Sequence, residues 1–123
     1  MGDLTKNLSR YECACKCGCG FDTVDLQTAG VLQDCCNYYS KLLGHKVTMI
    51  VTSLCRCAYW NEFEGGAQDS KHLQGRAVDF YIRGVPAGSV YAYLDQKYIG
   101  RFGLGYHAGF THLDTRSGEG VRW

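Results

Sequence analysis

The chain has 123 residues, with 13 basic against 12 acidic side chains and a net charge of +1. That length suits one domain, expected to span 1–123, since domains usually run ~100–150 residues; the even balance, with no basic run, excludes nucleic acid as a favoured partner. Hydrophobic residues at 46%, with 9 Tyr and 5 Phe, exclude a disordered chain, and the longest strongly apolar stretch, Val47 to Val51, falls far short of the ~20 residues of a membrane span.

Ser9 and Glu12 have the spacing of a capping box and predict a short helical turn. Cys13, Cys15, Cys17 and Cys19 alternate with Ala14, Lys16 and Gly18, a pattern that suits a loop better than a helix or strand. Asp22 or Thr23 can cap a helix running to about Leu43. Its positions Val24, Val31, Leu32, Cys35, Tyr39, Leu42 and Leu43 recur at the spacing of one buried helical face, and Gly44 is a natural stop. Val47 to Val51 reads as a buried strand. The connection from Ser53 to Lys71 is long enough to be functional or to carry short helical pieces. Arg76 to Ile82 alternates as a strand, with Ala77, Asp79 and Tyr81 on one face. Pro86 sits well at the start of a helix covering Val90 to Tyr98.

The last third predicts a hairpin, Phe102 to His107 and Phe110 to Thr115 around Ala108-Gly109. In that register Gly105 opposes His112 and Gly103 opposes Asp114, so His107, Phe110, His112 and Asp114 share a face. The two glycines are expected to leave open space across from His112 and Asp114, as in the floor of a site.

Ser70-Lys71-His72-Leu73-Gln74-Gly75-Arg76-Ala77-Val78-Asp79 carries two metal-ligand types where a loop enters a strand, and His112 adds a third from the hairpin. Two His and a carboxylate with an open position meet the requirement of a catalytic zinc site, where zinc polarises a carbonyl and lowers the pKa of water to ~7. A loop histidine such as His72 also reads as a surface residue; Asp79, mid-strand and half-buried, needs a charge or metal partner.

The pattern Ser-x-His-x-x-Gly-x-Ala-x-Asp with a later strand His resembles the zinc peptidases that include D-alanyl-D-alanine carboxypeptidases, D-Ala-D-Ala dipeptidases and phage L-alanyl-D-glutamate endolysins, whose fold the Hedgehog signalling domain shares. Thr52-Ser53-Leu54-Cys55-Arg56, Asn61, Gly65-Gly66-Ala67, Thr111-His112-Leu113-Asp114-Thr115-Arg116 and the closing Arg122-Trp123 extend the resemblance to small phage-type members, over roughly Leu4 to Trp123. It implies an α+β fold, a small antiparallel sheet backed by helices, with one zinc per chain on His72, Asp79 and His112. Arg56 would stabilise the oxyanion, and Ser70 would bind substrate or orient its loop. Tyr106, beside the site, joins the substrate-binding set. Many members carry Asp or Glu three residues before the last His; here that position is Gly109. Asp114 is the favoured substitute for the general base, with His107 the second choice and Asp114 alternatively orienting a histidine ligand through its ring nitrogen.

The implied activity is hydrolysis of an amide in the peptide stem of bacterial peptidoglycan by a monomer, as a carboxypeptidase or endopeptidase. The alternative is a non-hydrolytic zinc domain with a structural or binding role. Met1 to Glu12 lack the apolar core of a signal peptide, so synthesis in the cytoplasm is expected, with action on the wall after phage-type release or as a virion component. For the eight cysteines three readings stand: reduced thiols, disulfides formed after release, or a second zinc site on Cys15, Cys17, Cys19 and one of Cys55 or Cys57. One-residue spacing argues against the last, because zinc knuckles usually space their cysteines by two to four residues.

Overall fold

The computed structural model describes residues 5–6, 8–19, 24–54, 56–63, 65 and 71–123. Asp22, Thr23, Cys55, Ser70 and the Gly66-Ala67 part of the motif segment lie outside the described residues. The elements run α1 (Arg10–Cys13), α2 (Leu26–Leu43), β1 (Met49–Ser53), α3 (Ala58–Phe63), a 3-10 turn (Lys71–Gln74), β2 (Ala77–Ile82), α4 (Ala87–Lys97), β3 (Gly103–Tyr106), β4 (Thr111–Asp114) and β5 (Val121–Arg122).

The strands form one sheet in the order β1-β2-β4-β3-β5. The three pairings among β1, β2, β4 and β3 are antiparallel, while β5 joins β3 in parallel. The fold is therefore α+β, but its sheet is mixed rather than wholly antiparallel. Strand β5 has only two residues, too few for a periodicity to announce, and it forms because the chain end returns along β3: Trp123 N–H donates to Leu104 O and Tyr106 N–H to Trp123 O.

Burial follows the alternation of the strands. Val78, Phe80 and Ile82 of β2, Leu104 of β3 and Leu113 of β4 face a core shared with Val31, Leu32, Cys35, Cys36 and Tyr39 of α2 and Val90 and Leu94 of α4. Each such side chain stabilises the fold by about 1.5–3 kcal/mol relative to exposure. The other face is left for polar residues, and Asp79 and His112 lie on it.

Helix α2 starts later than Asp22 or Thr23 would cap it. Asp25 is the cap, its Oδ2 accepting from the Thr28 N–H at 3.1 Å and Thr28 Oγ1 at 3.3 Å. The helix ends where Gly44 takes φ 76°, and Leu42 and Leu43, expected to be buried, are exposed at 62% and 44%. The capping box of α1 forms, with Glu12 Oε1 accepting from Ser9 N–H at 3.0 Å and Ser9 Oγ at 2.9 Å.

Two glycines of α2 separate backbone strain from helix propensity. Gly44→Ala places a side chain in the left-handed region and is expected to cost about 1 kcal/mol. Gly30→Ala adds a Cβ with nothing within 4 Å inside a regular helix and is expected to gain about 1 kcal/mol. Urea denaturation of the two variants checks both signs.

Candidate metal centre

Three elements converge on one point of the polar face. The 3-10 turn supplies His72, β2 supplies Asp79 and β4 supplies His112, with one candidate ligand atom from each lying within 4.8 Å of the others. The register does the positioning: Asp79 pairs directly with His112 across β2 and β4, and Gly75, at φ 65°, turns the chain between His72 and the strand in a conformation glycine adopts without cost.

The histidine nitrogens are assigned by their partners. His72 Nδ1 lies 2.7 Å from Leu54 O; a carbonyl only accepts, so Nδ1 is the donor there and Nε2 is the nitrogen turned to the cluster, 3.5 Å from Asp79 Oδ2. His112 Nδ1 lies 2.8 Å from Asp79 Oδ1 and Nε2 lies 3.1 Å from Asp114 Oδ2. With Nε2–H donated to Asp114, Nδ1 is left to face the space shared with Asp79 and His72. Backbone or carboxylate partners on the far ring nitrogen are the usual way a protein orients metal-binding imidazoles. The side chains of His72, Asp79 and His112 are 4%, 15% and 17% exposed, so the cluster is buried on the His72 side and reaches solvent on the other.

Electrostatics favour a cation here. Burial alone raises the Asp79 carboxyl, but hydrogen bonds from His112 and His72 outweigh it and hold the group well below the usual carboxylate range. Burial likewise opposes a charge on His112, yet Asp114 and Asp79 lift its pKa to about 9. Asp114 is raised by burial and pulled further down by Arg116 and then His112, to end well below an ordinary carboxylate. A pocket with two ionised carboxylates about one imidazole and two oriented nitrogen donors is a fitting set for a borderline-soft divalent ion, with N and O ligands open on one side as in catalytic zinc sites.

That chemistry agrees with comparison to known proteins. The family model described as Peptidase M15 matches residues 6–114. The chain belongs to the M15 peptidase family. No curated protein sequence matches it. M15 peptidases are zinc-dependent, so family and donor set together make this chain a zinc metallopeptidase with His72, Asp79 and His112 as its candidate ligands.

The remaining expected site residues divide. Arg56 reaches the cluster, its NH2 group 3.6 Å from Asp79 Oδ2, braced by Ser53 Oγ at 3.0 Å and Asn61 Oδ1 at 3.4 Å. Asp114 adjoins His112 but is 1% exposed and clamped by Arg116, whose Nε and NH2 donate to its two oxygens at 2.6 and 2.7 Å. His107 shares the strand face of His112 but stands exposed near the hairpin tip, stacked on Phe110 with ring centres 4.3 Å apart. Tyr106 is not brought to the cluster: it is one residue out of phase with Gly105, and its ring lies toward α4, 6.0 Å from the Tyr91 ring and 3.8 Å from where a Cβ on Gly88 would lie.

Gly103 and Gly105 oppose Asp114 and His112 as expected, but the space above them is filled. A Cβ on Gly103 would meet Asp114 Oδ2 at 2.5 Å, and one on Gly105 would meet Trp123 Nε1 at 2.6 Å. The indole packs 5.1 Å from the His112 ring, with the Arg116 guanidinium 5.5 Å over it. Trp123, Arg116 and the Leu54 carbonyl are thus supports to which sequence reasoning gave no role. Arg116 and Trp123 had a readable signal, since both stand in the segments that carry the family resemblance.

Gly103→Ala is expected to push the Asp114 carboxylate off His112, and Asp114→Asn to weaken its hold on the ring. Each should lower zinc affinity about 10- to 100-fold, the usual effect of losing such a partner, read by competition against a chromophoric chelator.

Proposed function

We propose that this M15 peptidase hydrolyses an amide bond in the peptide stem of bacterial peptidoglycan. The observation that carries the reading is the convergence of His72, Asp79 and His112 with Arg56 held against the same carboxylate. Zinc held by the three ligands would supply Lewis-acid polarisation of the scissile carbonyl and a more acidic water.

The protein's own groups have separable tasks. Arg56 presents a fixed cation beside the metal ligands, where a carbonyl oxygen gains negative charge as its carbon is attacked, and its bracing by Ser53 and Asn61 spares the cost of reorientation. Asp114 has both oxygens committed to Arg116 and His112, and a carboxylate held so far below neutrality is a weak proton acceptor. Its task in this reading is to hold His112, and His107, exposed on the same face, takes the proton. Trp123 shields the outer side of the His112 ring. This reading has the enzyme act at the cell wall after phage-type release or as a virion component.

Purified muropeptides incubated with the zinc-loaded protein should give one defined product, lost on chelation and restored by zinc; mass spectrometry of the product names the bond. Zinc retained with no cleavage of any muropeptide would favour a non-hydrolytic binding domain, a reading that Gly109 and the clamped Asp114 keep in play.

Arg56→Lys keeps the charge and loses the braced planar fork. It should lower kcat by about 10²-fold with zinc content unchanged. His107→Gln should lower kcat by about 10²-fold and leave zinc affinity intact; an unchanged kcat would return the proton to another group.

A further inference from the structure

A second cluster shares no residue with this centre. Four cysteines, Cys15, Cys17, Cys19 and Cys57, gather their sulfur atoms within 4.8 Å of one another. Three come from the loop after α1 and the fourth from the segment before α3, 42 residues from Cys15. Cys15 Sγ is 3.5 Å from Cys17 Sγ and 3.7 Å from Cys57 Sγ, and Cys17 Sγ is 3.6 Å from Cys57 Sγ.

Those separations are too long for disulfides and short enough for a shared metal ion. A disulfide needs about 2.05 Å between sulfurs. A zinc ion bonded to four thiolates at about 2.3 Å sets the edges of its sulfur tetrahedron at about 3.8 Å, and the three sulfur separations of 3.5, 3.6 and 3.7 Å fall just inside that value. The Cys57 N–H also donates to Cys15 Sγ at 3.4 Å, a backbone bond of the kind that stabilises a ligating thiolate.

The objection from one-residue spacing fails for a geometric reason. The loop is not extended: Gly18 N–H closes a turn onto Cys15 O at 3.3 Å, and Gly18 itself takes φ 82°. The turn swings Cys17 and Cys19 back beside Cys15, so residues that would alternate along a strand converge.

We propose that Cys15, Cys17, Cys19 and Cys57 form a second metal site, a four-thiolate structural centre for zinc, separate from the His72–Asp79–His112 centre. Four sulfur ligands leave no open coordination position, which makes the site structural rather than catalytic. Its effect on the fold is to staple the loop after α1 to the segment that carries Arg56.

The test is metal content and cobalt spectroscopy on protein prepared under a non-chelating reductant. The unaltered chain should hold two zinc ions, and His72→Ala/His112→Ala should hold one. Replacing that remaining zinc by cobalt in the His72→Ala/His112→Ala protein should give the intense ultraviolet thiolate-to-cobalt charge transfer and strong visible bands of tetrahedral sulfur coordination. Because the histidines are absent from that variant, the result is independent of whether the first centre cleaves anything. Cys17→Ser/Cys57→Ser in the otherwise unaltered chain should lose one metal equivalent. A histidine-depleted protein that binds neither zinc nor cobalt, or binds cobalt without thiolate charge transfer, overturns the proposal. So does a chain isolated without reductant whose intact mass and peptide map place a disulfide, two hydrogens lighter, among these four cysteines.

Discussion

The Asp79 carboxylate organises the first centre. It is 15% exposed on β2, an interior strand of the sheet, and an ionised carboxylate so placed is tolerated only when its charge is answered. Three groups answer it from three directions: His112 across the β2–β4 ladder, His72 from the 3-10 turn, and Arg56 from the segment after β1. Each arrives by a different device, a strand register, a glycine turn and a braced guanidinium. Had the charge been met by one partner alone, the other two elements would have no common point to converge on. The hydrogen bonds that offset the desolvation of Asp79 also bring two imidazoles and a cation around a single carboxylate, and this is the geometry a metallopeptidase requires.

Much of that arrangement was legible because it is local or periodic. The pairing of Gly105 with His112 and Gly103 with Asp114 follows from a short hairpin with strict alternation, and the structure has that register. The purpose of the glycines was not legible. A missing side chain reads as open space in a sequence, whereas here the space is taken by the Asp114 carboxylate and by an indole from the far end of the chain. Trp123 reaches Gly105 only because residues 121–123 pair with β3 in parallel, a contact no local pattern encodes. Tyr106 differs again: nearness along the chain suggested a role, and one residue of strand phase turns its ring away from the cluster, toward Tyr91 and Gly88 of α4.

The same contrast separates the two cysteine groups. Cys35 and Cys36 sit on α2 and are buried at 0% and 1%, Cys35 at a position the helical period marks; burial pushes the Cys36 thiol up to about 11, so it is protonated and behaves as a small apolar side chain. Cys15, Cys17, Cys19 and Cys57 lie in loops, where no period constrains them, and their convergence depends on a turn and on a contact 42 residues distant. Spacing rules derived from knuckles assume that paired ligands come from one short hairpin. They carry no information when a turn at Gly18 supplies three ligands and another segment supplies the fourth.

Arg56 and Cys57 are neighbours in the chain and face different centres. The Arg56 N–H donates to His72 O at 3.0 Å, and the Cys57 N–H donates to Cys15 Sγ at 3.4 Å. Two consecutive peptide groups are thus tied on one side to the turn that carries a metal ligand and on the other to the thiol cluster. A guanidinium that stabilises developing charge is effective only if it does not reorganise as the charge appears, and its side chain can be no steadier than its backbone. Ser53 and Asn61 steady the side chain, while the thiol cluster is a further anchor for the backbone at Cys57. In a chain of 123 residues with a small core, cross-linking sulfur ligands is a physically economical way to fix that segment, and it accounts for why the cysteines collect beside Arg56 rather than being spread through the fold.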